Sequence, residues 1–119
     1  MDLQLRNKVV IVTGASEGIG RAAAERFSQE GALVALAART QNDLDNVAND
    51  IASTSGNAVI GIATDVRKEE SVKALIEAVV KKWGKIDVLV NNAGTSSASR
   101  LEELTNEQVD EDFNLKVKG

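Results

Sequence analysis

Four apolar runs of strand length punctuate the chain: KVVIVT at 8–13, LVALAA at 33–38, AVIGIA at 58–63 and IDVLVN at 86–91. None of them alternates apolar with polar residues. A strand with one wet face would alternate, so these runs read as parallel strands covered on both faces. The stretches between them carry a helical period instead. The first runs from Ile19 through Ala22, Ala23, Glu25, Arg26 and Phe27, and Gly31 is placed to stop it. The second opens near Asn42 or Asp43 and sets Leu44, Val47, Ala48 and Ile51 at helical spacings before Gly56. The third, KEESVKALIEAVVKKWG, puts Val72, Leu75, Ile76, Val79 and Val80 on one face and ends at Gly84. Its Lys81 and Lys82 fall in the last turn, where cations suit the helix dipole.

Strands and helices that alternate with short joints build βαβ units with right-handed crossovers. The expectation is one α/β domain over residues 1–119, because no linker, repeat or low-complexity tract interrupts the pattern. A polar loop, NAGTSSASR, follows the fourth run, and a further helix is expected to open at Thr105. The net charge of −4 argues against a nucleic-acid surface or an anionic membrane as partner. No run of about 18 apolar residues and no signal-peptide pattern at MDLQLRNK is present, so a soluble, cytoplasmic chain is expected. Cysteine and histidine are both absent, which leaves no disulfide framework and no reason to expect a metal site.

Between the first strand and the first helix lies TGASEGIG, Thr13 to Gly20. A strand–glycine turn–helix unit aims free backbone N–H groups and the positive helix end at one point, which makes an anion site. Gly14 suits the tight turn, Gly18 the close approach of a pyrophosphate, and Gly20 the packing of helix on strand. The spacing G-x-x-x-G-x-G differs from the generic G-x-G-x-x-G, and a purely structural turn is the competing reading.

TGASEGIG, then Asp65-Val66, then Asn91-Asn92-Ala93-Gly94, in that order, resemble the short-chain dehydrogenase/reductase family. The resemblance spans essentially the whole chain and is to the N-terminal, cofactor-binding half of such an enzyme. It implies a three-layer, doubly wound Rossmann-type parallel sheet, with strand order 3-2-1-4 for these four strands. It also implies a nicotinamide dinucleotide held by Gly14, Ser16, Glu17, Gly18, Ile19 and Gly20 of the turn, and by Asn92, Ala93 and Gly94. Asn91 would steady the sheet.

After the second strand, Ala38 stands where an NAD-preferring fold places an acid on the ribose 2′-hydroxyl, and Arg39 follows it. A guanidinium there can pair with the 2′-phosphate of NADP. The resemblance points the same way, with Thr40 and Ser16 beside it; Glu17 weighs against, since some NADP-binding relatives are basic there. NADP(H) is therefore expected over NAD(H), with a solvated strand-end arginine as the competing reading. Asp65 can accept from an adenine amino group while the Val66 N–H reaches a ring nitrogen; alternatively Asp65 caps the helix near Lys68. Trp83 reads as a core anchor.

Members of the family transfer a hydride between the nicotinamide and a carbonyl or alcohol, using a tetrad of Asn, Ser, Tyr and Lys. Asn114 matches the tetrad asparagine, or is an ordinary helix-surface residue. The chain contains no tyrosine and stops before the region where the Tyr and Lys would lie. Three readings follow: the NADP(H)-binding portion of a reductase, a dinucleotide-binding module without catalysis, and a fragment that associates through an exposed sheet edge. The fourth apolar run has no lysine or proline to guard such an edge, so a homo-oligomer is expected. An S-adenosylmethionine-binding methyltransferase is the unrelated alternative, and Arg39 and NNAG speak against it.

Overall fold

A computed structural model of the chain describes residues 5–16 and 18–92. Strands β1 (Val9–Thr13), β2 (Leu33–Ala38), β3 (Val59–Ala63) and β4 (Val88–Val90) alternate with helices α1 (Gly18–Gln29), α2 (Gln41–Ser55) and α3 (Glu69–Trp83). All strand pairs are parallel, in the order β3-β2-β1-β4. This is the Rossmann-type order that the sequence resemblance implies. Strand β2 matches its apolar run, β1 and β3 are one residue shorter than theirs and β4 three, and α2 opens at Gln41 rather than at Asn42 or Asp43. The helix expected at Thr105 lies outside the described residues.

Strand β1 is buried along its whole length, and its side chains divide between two cores. Val9 and Ile11 join Ala35, Ala37 and Ile86 beneath Val72, Leu75, Ile76, Val79 and Val80 of α3. Val10 and Val12 join Val34 and Leu36 beneath Ala24 of α1 and Leu44, Val47, Ala48 and Ile51 of α2. Successive strand residues point to opposite faces, so an unbroken apolar run demands cover on both. At about 1.5–3 kcal/mol for each fully buried aliphatic side chain, five from α3 outweigh several surface ion pairs. Strands β3 and β4 flank the sheet and are only half-buried, so the cover inferred for all four runs holds fully for β1 alone. Trp83 packs half-buried against the α3 core.

Two devices finish the elements. Helix α1 closes with the Ala32 N–H on the Phe27 carbonyl (3.1 Å) and the Gly31 N–H on the Ser28 carbonyl (3.1 Å), the paired closure of a Schellman motif. At the opposite edge of the sheet from the glycine turn, Asp87 takes the place of a missing ladder partner. The Val9 N–H donates to Asp87 Oδ2 (2.8 Å), and the Asp87 N–H donates to the Val9 carbonyl (2.9 Å). Lys85 Nζ lies 3.2 Å from the same carboxylate oxygen. The register between β1 and β4 is thereby pinned at its start. Since all strands are parallel, their carboxyl ends emerge together at the other edge, where the glycine turn lies.

Candidate functional site

The site is built where β1 hands over to α1. Gly14 and Gly18 both take left-handed backbone, with φ of 62° and 63°, which side chains other than glycine adopt at a cost. A Cβ on Gly18 would meet nothing within 4 Å, so the turn leaves open space in front of it. Gly20 is in the opposite position. A Cβ there would run into the Gly14 carbonyl oxygen and lie 2.8 Å from its carbon and 2.9 Å from Asn92 Nδ2. Its role is thus to let α1 close onto the glycine turn itself rather than onto the strand at large. Helix α1 has no acidic residue in its own first turn from Gly18 onward, so among the described residues no carboxylate of the helix opposes its positive end. Ile19, in that turn, is 79 % exposed.

The turn is tied to the end of β4 by Thr13, a buried residue to which the sequence pattern assigned no role. Its Oγ1 donates to Asn91 Oδ1 (2.9 Å) and accepts from the Asn92 N–H (2.9 Å). Asn91 therefore steadies the sheet by a direct bond, and Asn92 is brought against Gly14. Ser16 lines an open cavity of about 320 Å³ with Asp43, Asn46 and Val47 from the first turns of α2. The two polar residues of α2 were not legible as site residues, because their nearness to Ser16 depends on how α2 returns across the sheet.

Arg39 and Thr40 sit at the carboxyl end of β2, both exposed. The Arg39 guanidinium has no hydrogen-bond or ion-pair partner among the described residues. Thr40 occupies the N-cap position of α2, yet its side chain makes no capping bond, so its hydroxyl is not consumed by the helix.

Asp65, beyond β3, is organised more tightly than its position in the sequence suggests. Its Oδ1 accepts from the Arg67 N–H and Nε, each at 3.0 Å, and its Oδ2 accepts from Arg67 Nη2 at 3.0 Å. The Asp65 N–H donates to Ser71 Oγ (2.8 Å) in the first turn of α3. Lys68, not Asp65, occupies the N-cap position of that helix. The side-chain bonds from Arg67, followed by its backbone N–H, hold the Asp65 carboxyl down at about 2. A carboxylate offers about four acceptor sites, so Oδ2 keeps one for a further donor. Val66 is half-buried against the α3 core, and its N–H has no acceptor among the described residues. Glu17, Ala93, Gly94 and Asn114 lie outside the described residues.

The carboxyl edge of the sheet thus carries a turn able to hold an anion, a guanidinium unpaired among the described residues and a fixed carboxylate. Its residues fit a dinucleotide: open space stands before Gly18, and a polar cavity before Ser16.

Two outcomes follow from this geometry. Gly20→Ala should cost more stability than Gly18→Ala, about 2–3 kcal/mol against about 1 kcal/mol, because backbone rather than solvent meets the new methyl. Urea unfolding followed by circular dichroism reads this, and the reverse order would remove the close-packing role of Gly20. The second concerns Asp65. A depressed carboxyl pKa contributes stability that is present above its ordinary value of 3.8 and is lost as pH falls towards about 2. A carboxyl carbon titration by nuclear magnetic resonance should place Asp65 near 2 and return it towards 3.8 in Arg67→Ala.

Known proteins resemble the chain in sequence and fold. A family model described as short chain dehydrogenase matches residues 8–119. An uncharacterized oxidoreductase of Listeria monocytogenes is 37 % identical over 117 residues, covering 98 % of this chain and 47 % of the relative. The chain thus spans about half the length of the curated relatives it matches. Among solved structures, L-sorbose reductase from Gluconobacter frateurii, complexed with NADPH and L-sorbose, superposes with a TM-score of 0.85 at 33 % identity. That match covers 93 % of this chain and 51 % of the reductase. An NAD+-bound xylitol dehydrogenase superposes with a TM-score of 0.82 at 27 % identity, covering 89 % of this chain and 49 % of the other. With the parallel 3-2-1-4 sheet, the glycine turn after β1 and a family match over nearly its whole length, the chain belongs to the short-chain dehydrogenases.

Proposed function

We propose that these residues form the cofactor-binding portion of an NADP(H)-dependent reductase acting on a small carbonyl or alcohol substrate. The bound nicotinamide would supply the hydride, and this chain's residues hold and orient the dinucleotide. In this reading the first-turn N–H groups of α1, behind Gly18, take the pyrophosphate. Asp65 and the Val66 N–H take the adenine, and Asn92, Ala93 and Gly94 line the ribose and nicotinamide side. The 119 residues contain neither tyrosine nor histidine, so we place the proton-donating group of the complete enzyme outside them. Asn114 is assigned to the catalytic constellation by its match to the family motif.

The observation that carries the cofactor preference is Arg39. It follows Ala38, where an acid would hold a 2′-hydroxyl, and its guanidinium is unpaired among the described residues. Thr40 and Ser16 add hydroxyls nearby in the same reading. Asp43 opposes it from the wall of the Ser16 cavity, and Glu17 belongs to the same turn. Their charges pull the expected preference towards the lower end of what one charge-assisted contact yields, about tenfold. NADPH should thus bind about tenfold more tightly than NADH, and Arg39→Asp should reverse the order. Calorimetric titration at moderate salt reads both, and equal affinities in the unsubstituted chain would remove Arg39 from the site. Xylitol dehydrogenase, bound to NAD+, is the counterexample within the same fold that makes this titration necessary.

We further propose self-association through β4. Among the described residues β4 pairs with β1 on one side and with no strand on the other, and Val88, Leu89 and Val90 are only half-buried. Light scattering over a wide range of concentration tests this, and a monomer throughout would overturn it. No helix among the described residues is long and apolar enough to cross a membrane.

A further inference from the structure

Strand β3 flanks the sheet, and its ladder groups alternate in direction. The Val34 N–H donates to the Ala58 carbonyl (3.2 Å), and the Thr64 N–H donates to the Ala38 carbonyl (2.7 Å). The even-numbered residues of this stretch therefore face β2, and the Gly61 carbonyl and Ala63 N–H point to the other side. No strand of the described residues lies there. In its place stands one side-chain amide. Gln41 Nε2 donates to the Gly61 carbonyl (2.8 Å), and Gln41 Oε1 accepts from the Ala63 N–H (2.9 Å). A residue of a parallel neighbour strand would make the same pair of bonds. The second Nε2 proton goes to Asp45 Oδ1 (2.8 Å). The orientation of the amide is determined by its partners, because a carbonyl and a carboxylate can only accept and a backbone N–H can only donate.

The reach of Gln41 depends on how closely α2 lies on β3. A Cβ on Gly61 would sit 2.8 Å from Leu44 Cβ and 3.2 Å from the Leu44 backbone carbon, so only a glycine leaves α2 room to settle there. Leu44 is fully buried at that contact. Gln41 stands one turn before it on the same side of the helix, which carries its amide onto the exposed strand edge.

The amide joins two segments that matter to the cleft. Gln41 directly follows Arg39 and Thr40, and Ala63 leads directly into Thr64, Asp65 and Val66. The β2–β3 ladder also ties them, with Ala38 paired to Ala63 and the Thr64 N–H on the Ala38 carbonyl. We propose that Gln41 is a positioning residue for the adenosine half of the cofactor. It holds the 2′-phosphate-reading and adenine-reading segments at a fixed separation while touching neither ligand group. The proposal rests on the function proposed above, and it concerns one residue that this function does not require.

The test uses the full chain with Gln41→Ala and Gln41→Glu. Each is titrated with NADPH and with 2′,5′-ADP, and backbone hydrogen exchange is followed at Ala63. Gln41→Ala should weaken both ligands by the same factor, about tenfold, since the loss lies wholly in the adenosine half. Exchange at Ala63 should quicken while β1 and β2 stay protected. Gln41→Glu keeps the shape but cannot donate to the Gly61 carbonyl, and it sets a second carboxylate beside Asp45. It should lose at least as much near neutral pH and recover relative to the unsubstituted chain towards about pH 4, where a protonated carboxyl donates again. A merely structural residue would show no such recovery. Unchanged affinity in both variants overturns the proposal, as does a loss matched by faster exchange throughout the sheet. If the unsubstituted chain binds neither ligand, the proposed function has failed and takes this proposal with it. If it binds both and the variants bind equally well, only the role of Gln41 has failed.

Discussion

The pairing of β1 on both sides, with both of its faces out of water, is the constraint on which the remaining structure depends. A strand with no accessible surface must give every backbone N–H and C=O a partner and every side chain a packed neighbour. Strands β2 and β4 supply the first requirement, and α1 and α2 on one face with α3 on the other supply the second. Because parallel strands need crossovers, each helix returns the chain to the amino edge. The four carboxyl ends then collect at one place, and the cleft is a consequence of that collection.

At such an edge the sheet ladder stops, and the last backbone groups need other partners. The molecule answers with side chains brought from far along the sequence. Thr13 bonds Asn91 and the backbone of Asn92, Ser71 receives the Asp65 N–H, and Gln41 completes the open side of β3. Asp87 performs the same service for Val9 at the amino edge, where no cleft forms. Each bond contributes about 1 kcal/mol net to stability, yet leaving its buried or half-buried partner unmet would cost more. The larger effect is positional. Loops that would otherwise fray are held by two or three bonds apiece, so a ligand need not organise them on arrival.

Charge around the cleft is balanced rather than uniformly positive. Arg67 is spent on Asp65, whose carboxylate stays ionised down to about pH 2. The Arg39 guanidinium is unpaired among the described residues, and Asp43 lines the cavity beside Ser16. The first turn of α1 adds backbone dipoles and carries no acidic side chain of its own.

Much of the fold was legible because periodicity is a local property. Leu44, Val47, Ala48 and Ile51, and Val72, Leu75, Ile76, Val79 and Val80, follow from helical spacing, and the structure buries them all. The glycine turn was legible too, since a strand followed by left-handed turn residues and a helix can do few things. Gly61 and Gln41 were not. Gly61 stood within an apolar strand run and Gln41 just ahead of the expected helix start, and their meaning arises only when α2 lies down on β3. The same holds for Thr13 with Asn91, which are 78 residues apart. By itself the sequence determined the elements, their apolar faces and the turn chemistry, all set by neighbours within a few residues. Tertiary structure alone decided the strand register and the side chains that close the sheet's ends, because those partners meet only after the crossovers have returned the chain to the same edge.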